Sequence, residues 1–63
     1  MDSELERWAE ALQVLKMHGE RAPLFVAERI GALALSGDAD GIQRWKEIAA
    51  KLDELSASEA IRQ

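Results

Sequence analysis

Apolar residues recur along this chain at intervals of three and four, the spacing of one face of an α-helix. The first such segment predicts a helix over residues 4–18. A capping box of Ser3 and Glu6 begins it, and Gly19 ends it in a left-handed conformation. Val14 falls on the opposite, polar side of this helix. The predicted buried face consists of Leu5, Trp8, Ala9, Ala11, Leu12 and Leu15.

Two further helices follow from similar signals. Pro23 suits the first turn of a second helix over residues 23–36, which Gly37 ends. Asp38 then caps a third helix, over residues 39–55. The predicted buried face of the third helix consists of Ile42, Trp45, Ile48, Ala49, Leu52 and Leu55. Its polar face contains two pairs with the i,i+4 spacing of ion pairs: Asp40 with Arg44, and Glu47 with Lys51.

The segment after the third helix has two possible structures. Residues 56–63 either extend that helix or form a frayed, flexible tail, because so short a segment cannot hold an isolated helix in water. The short connections favour antiparallel or steeply angled neighbours. The sequence therefore predicts an all-α fold, a compact three-helix domain over residues 1–55 followed by this tail.

The second helix is apolar almost all the way round. In APLFVAERIGALALSG, residues 22–37, the only charged residues are Glu28 and Arg29. Such a helix is either buried by its neighbours or has a second face for a partner. We expect it at the centre of the fold, with one pair of apolar residues left outside: Phe25 with Ala32, or Leu24 with Leu35. The candidate interface residues are therefore Leu24, Phe25, Glu28, Arg29, Ala32 and Leu35.

Two features of the second helix have alternative explanations. A glycine in mid-helix loses roughly 0.8–1 kcal/mol of helix propensity relative to alanine. Either Gly31 admits Trp8 or Trp45 within one molecule, or its ridge with Ala27 and Ala34 lets a helix of another molecule cross closely. The two charges at 28 and 29 form either a solvated edge of the helix or an interface anchor, since arginine is enriched at interfaces.

Composition and charge narrow the possible functions. The 63 residues include no cysteine and one histidine, so neither a disulfide nor a zinc site is expected. Twelve acidic and eight basic residues give a net charge of −4, which opposes nucleic-acid binding by charge. An acidic amino terminus and the lack of about 20 consecutive apolar residues predict no secretory signal, no membrane span and a cytoplasmic location.

No catalytic arrangement is apparent. His18 falls at the end of the first helix, where it suits the helix dipole, and it has no cysteine to activate. The serines fall at helix caps and ends: Ser3, Ser36, Ser56 and Ser58. We therefore expect no enzyme, no cofactor, no metal and no small-molecule substrate.

Two functions remain open. The first is a non-enzymatic protein–protein interaction module, either a homodimer or an accessory subunit, which uses the apolar second helix. The alternative is a transcription-related regulator that binds DNA weakly or antagonises a DNA-binding protein. In a helix-turn-helix, glycine lies in the turn, whereas Gly31 is followed by ALALSG, which continues the helical pattern. The third helix offers Gln43, Arg44 and Lys46 to bases, but interleaves them with acidic residues.

Three segments carry a resemblance to a known group of proteins. These are WAEAL at 8–12, HGERAPLFVAERIGALALSGD at 18–38, and GIQRWKEIAAKLDEL at 41–55. On these segments the chain resembles a family of short, uncharacterised proteins found in alphaproteobacteria. The resemblance implies a bacterial, cytoplasmic setting, and it brings no assigned activity, substrate or cofactor.

Overall fold

The computed structural model describes the backbone of residues 3–61 and the side chains of residues 4–56. No strand occurs among the described residues. The predicted all-α class and the three helices are confirmed. The elements are α1 (Ser3–His18), a single 3₁₀ turn (Gly19–Arg21), α2 (Ala22–Ser36) and α3 (Ala39–Ile61).

Glycines end the first two helices as predicted. Gly19 has φ 58° and Gly37 has φ 75°, a left-handed conformation that glycine adopts without a Cβ penalty. After α2, the Asp38 N–H donates to the Leu33 carbonyl at 3.0 Å, the long bond of a Schellman motif. Asp38 Oδ1 then accepts the Gly41 N–H at 2.9 Å, which caps α3. The turn between α2 and α3 is therefore fixed by local chemistry.

The two ends of the chain add to this description. α3 continues beyond Leu55 to Ile61. Of the two alternatives for the tail, extension of the third helix therefore applies to residues 56–61. Residues 62 and 63 lie outside the described residues. α1 begins at Ser3, and the predicted Ser3 cap lies outside the described side chains.

α3, and not α2, is the central helix. It packs extensively against both α1 and α2, whereas α1 and α2 touch each other sparsely. The expectation that α2 lies at the centre is therefore wrong. The reason is that α3 is the longest helix, and its amphipathic face is wide enough for two neighbours. The molecule is flattened, with principal extents of 40 × 29 × 16 Å.

The core is one small cluster contributed by all three helices. The buried side chains are Ala11, Val14, Ala22, Val26, Ile48 and Leu52. Partly buried residues pack around them: Leu15, Phe25, Ile30, Trp45, Ala49 and Leu55. A core of this size is what a domain of about 60 residues can form, since it buries only about 60% of its unfolded surface.

The buried face of α1 differs from the predicted one. Val14 is 7% exposed and Ala11 is fully buried, whereas Leu5 and Leu12 are 66% and 48% exposed. The helix is thus rotated relative to the expectation from its hydrophobic pattern. The Ala11–Val14 side of α1 packs in the core with Ile48 and Leu52, and Arg7, which shares this side, forms ion pairs beside it.

Ion pairs join α1 to α3. Arg7 Nε donates to Glu47 Oε1 at 2.9 Å, and Arg7 Nη1 donates to Glu10 Oε1 at 3.1 Å. Arg44 of α3 also pairs with Glu10. Arg7, whose side chain is 17% exposed, and Arg44 therefore link α1 to α3 through ion pairs.

The two i,i+4 pairs of α3 form no salt bridge among the described side chains. Arg44 pairs with Glu10 on α1 instead of Asp40. Lys51 Nζ lies 3.2 Å from Glu4 Oε2 and 4.8 Å from the ring centroid of Trp8, a cation–π distance. Both cations cross to α1 because the neighbouring helix offers carboxylates and an aromatic ring within their reach.

These contacts lower the pKa of two carboxyl groups. The hydrogen bond from Arg44 is the largest cause of the lowered pKa of Glu10. For Glu47 the hydrogen bond from the Gln43 amide comes first, followed by that from Arg7. Donors and positive charges near a carboxylate favour its ionised form.

We predict that acid destabilises the fold through these carboxylates. Their folded pKa values lie below the ordinary value of 4.5, so their stabilisation is present above that pH. It is lost as the pH falls through the lower, folded pKa values. Thermal unfolding is followed by circular dichroism at pH 7, 5, 4 and 3. The melting temperature should fall as the pH is lowered below about 4.5.

In Glu10→Gln the fall in melting temperature between pH 7 and pH 3 should be smaller than in the natural chain. Glu54→Gln is the matched control, because Glu54 makes no ion pair among the described side chains. Equal acid sensitivity of all three proteins would contradict the assignment.

We also predict that the core tolerates little truncation. Ile48 is 2% exposed at the junction of the three helices. Ile48→Ala should lower the free energy of unfolding by about 2–5 kcal/mol, enough to unfold much of so small a domain. Leu35→Ala is the control: Leu35 is 93% exposed, so the change should stay within about 0.5 kcal/mol in dilute solution. Chemical denaturation measures both.

Candidate interaction surface

The side of α2 that points away from the core is apolar and exposed. Leu35 is 93% exposed and Leu24 is 56% exposed. On a helical wheel both lie opposite Val26, which is 2% exposed. We call this surface the outer face of α2. All of its residues are exposed, and only one is charged: Leu24, Ala27, Glu28, Gly31, Ala32, Ala34 and Leu35.

The outer face remains uncovered because of the helix arrangement. α3 packs on the side of α2 that contains Val26, with Ile30 partly buried beside it. α1 contacts α2 only sparsely. Of the two pairs that the sequence left open, Leu24 and Leu35 are both exposed, whereas in the other pair Ala32 is exposed and Phe25 is half-buried. No described part of the chain covers the two leucines.

Gly31 lies in open space on the outer face. A Cβ added there would have no neighbour within 4 Å beyond its own helix. The explanation that Gly31 admits Trp8 or Trp45 within one molecule is therefore wrong. Ala27 and Ala34, which flank it on this face, are also exposed. Packing inside a single copy requires no small residue at these positions.

Phe25 and Arg29 lie at one edge of the outer face, beside Ala32 on the helical wheel, and contact residues of α1 and α3. The Phe25 ring stacks on His18, with ring centroids 4.0 Å apart and an interplanar angle of 16°. It meets the ring of Trp45 edge-on, with centroids 5.8 Å apart. The Arg29 guanidinium lies 5.8 Å from the centroid of the same tryptophan. Phe25 and Arg29 thus contact aromatic rings within the molecule, although Arg29 stays exposed. The other candidates belong to the outer face: Leu24, Glu28, Ala32 and Leu35.

The stack with Phe25 gives His18 a packing role. The residue lies at the end of α1, as expected, and its ring is half-buried against Phe25. No pattern within one helix could have paired these rings, because they belong to two elements on either side of the 3₁₀ turn. The stack anchors α2 to the end of α1.

A shallow cleft of about 470 Å³ lies beside the aromatic residues. Val14, Trp45 and Ile48 line it, and its charged lining includes the paired Glu10 and Arg44. This ion pair partly neutralises the charge of the cleft. Among the described residues, no group of three or more histidine, cysteine or acidic side chains is placed to hold a metal ion.

A second, more apolar groove of about 290 Å³ runs between α2 and α3. Ala27 belongs both to this groove and to the outer face, so the two surfaces are continuous. The sequence pattern did not indicate this groove, because its walls come from two different helices and depend on how these helices pack against each other. Its lining consists of Pro23, Val26, Ala27, Ile30, Ala49, Leu52, Asp53 and Ser56.

The outer face does not make α2 a membrane helix. None of the helices in the described part of the chain combines the length and apolar character needed to cross a bilayer. The apolar surface is a stripe along one side of a 15-residue helix.

Comparison with known proteins places the chain in a family without assigning it a role. A family of unknown function, DUF6961, matches residues 3–60, which include all of α1, α2 and the 3₁₀ turn and most of α3. No curated protein and no solved structure matches the chain. The match includes every residue of the outer face. The chain therefore belongs to the DUF6961 family, whose function is unknown.

Proposed function

We propose that this protein is a non-enzymatic interaction module that binds another protein through the outer face of α2. The observation that carries the proposal is the exposure of Leu35 and Leu24, at 93% and 56%. Scattered exposed leucines are common on protein surfaces. These two, however, share one helix face with four small residues and a single charge. Covering them would remove a continuous apolar stripe from water, at roughly 25 cal/mol per Å².

The spacing on the outer face supports a helix as the bound element. Leu24, Ala27, Gly31 and Ala34 follow one another at intervals of three, four and three residues. This is the spacing of a seam along which two helices pack. Small side chains at such a seam allow the two backbones to approach closely. The partner is either a second copy of the chain or a helix of another protein.

DNA binding has less support. Arg44 pairs with Glu10, and Lys51 pairs with Glu4, so two cations of α3 are already neutralised within the molecule. The net charge of −4 also opposes the approach of a polyanion. The version in which the protein antagonises a DNA-binding protein requires a protein–protein contact, which the outer face could also supply.

We predict that capture of partners depends on the outer face. The immobilised chain is exposed to an extract of the cells that naturally make it, and bound proteins are identified by mass spectrometry. Leu24→Glu/Leu35→Glu should lose the specific partners, because it places two charges in the apolar stripe. Both leucines are exposed, so the variant should keep its helical circular dichroism.

The matched control is Leu5→Glu/Leu12→Glu, which makes the same change at exposed leucines of α1. It should retain the proteins that the natural chain retains. If both double variants bind the same proteins as the natural chain, the outer face is not the binding surface and the proposal is wrong.

A separate prediction concerns DNA. In an electrophoretic shift assay at low salt, where charge attraction is strongest, duplex DNA should not be retarded. Retardation that weakens steeply as salt is added would instead support the regulator. The measurement is independent of the capture assay.

A further inference from the structure

We propose that the partner of the outer face is a second copy of this chain, with the two α2 helices packed antiparallel. This inference rests on the proposed function, because it names the occupant of the same surface. It is carried by the order of residues along α2 and by the charges at the two ends of the helix.

Six of the seven residues of the outer face lie level with one another when one copy is reversed. In an antiparallel pair, residues at equal distances on either side of a common midpoint lie level with each other. With the midpoint between residues 29 and 30, Leu24 lies level with Leu35 of the second copy. Ala27 likewise lies level with Ala32, so small side chains occupy the same level on the two flanks of the pair. Glu28 lies level with Gly31 of the second copy, which leaves room for its longer side chain.

The charges at the ends of α2 favour the same register. Arg21 precedes the helix and Asp38 follows it, and both are exposed. The antiparallel orientation brings the end of α2 that Arg21 precedes next to the end that Asp38 follows in the second copy, at both ends of the pair. A parallel pair would instead place like charges level with each other at Arg21, Glu28 and Asp38. Charge complementarity therefore selects the antiparallel orientation.

The small residues determine how closely the copies approach. Helix axes pack 8–10 Å apart, and glycine and alanine permit the lower end of that range. A second helix lying on Gly31 gives this residue the packing role that it lacks within one copy. Stable complexes bury about 1,200–2,000 Å², and a single pair of 15-residue helices is a small interface. The dimer should therefore be weak and depend on concentration.

Glu28 opposes the association. In the proposed register the two Glu28 side chains lie on the same side of the helix pair, three residues apart along its axis. Their like charges disfavour the dimer. Glu28→Gln should consequently strengthen the association, whereas Leu35→Glu should weaken it by at least about tenfold.

Disulfide trapping tests the register directly. The chain contains no cysteine, so every disulfide must come from an introduced residue. Leu24→Cys and Leu35→Cys are made as single variants, one of them with a mass tag, and are mixed under mild oxidation. The register predicts a disulfide between the two different variants.

Identical variants should cross-link poorly. Two copies of Leu24→Cys would place their cysteines 11 residues apart along the helix pair. This is about 16 Å at a rise of 1.5 Å per residue, beyond the roughly 7 Å between Cα atoms that a disulfide spans. Leu5→Cys mixed with Leu35→Cys is the matched control, and it measures random collision between exposed positions.

The outcomes separate this inference from the proposed function. Dominant disulfides between the two different variants support the antiparallel dimer. Disulfides between identical variants indicate a parallel pair and overturn the inference. Cross-linking no faster than the control also overturns it. If capture of other proteins still depends on the outer face in that case, the proposed function stands with a foreign helix as its partner.

A second measurement uses Gly31→Ala. The added Cβ meets open space in one copy, so the variant should fold and melt at a higher temperature because alanine is the better helix former. In the dimer the same Cβ separates the helices, so sedimentation equilibrium should show at least about tenfold weaker association than in the natural chain. Unchanged or stronger association would contradict close packing at Gly31.

Discussion

The packing of Ile48 and Leu52 on α3 is the interaction on which the structure depends. These two residues join Val26 of α2 and Ala11 and Val14 of α1 in one buried cluster. With 63 residues the chain can form only this one core, and α3 occupies the centre of it. α3 therefore covers one side of each neighbour and leaves the other side exposed. On α2 the exposed side is apolar, and the proposed function rests on this surface.

The helices themselves could be predicted because their boundaries depend on local chemistry. Gly19, Gly37 and Asp38 act through their own backbone conformation or a capping hydrogen bond, and the structure confirms each of them. The rotation of α1 could not be predicted in the same way. It depends on how α1 packs against α3, where Arg7 contacts Glu47, 40 positions away in the sequence. Hydrophobic periodicity describes one helix at a time and contains no information about such a contact.

The same limit applies to the candidate surface. The sequence predicted that some apolar residues of α2 stay outside, but left Phe25 with Ala32 and Leu24 with Leu35 as equal alternatives. The choice depends on the rotation of α2, which the contacts of Phe25 with His18 and Trp45 determine. Both contacts join different elements, so no spacing within α2 encodes them. The aromatic stack thus turns Phe25 inward and leaves the two leucines exposed.

The most direct test of the account is the solvent exposure of leucine methyl groups in a dilute, unassociated chain. With methyl-labelled leucine, a soluble paramagnetic chelate accelerates NMR relaxation of the methyl groups that it can approach. The account predicts strong acceleration at Leu35, somewhat less at Leu24, and almost none at Leu52, which is 3% exposed. Protection of Leu35 equal to that of Leu52 would contradict the arrangement of the helices and remove the basis for an outer face.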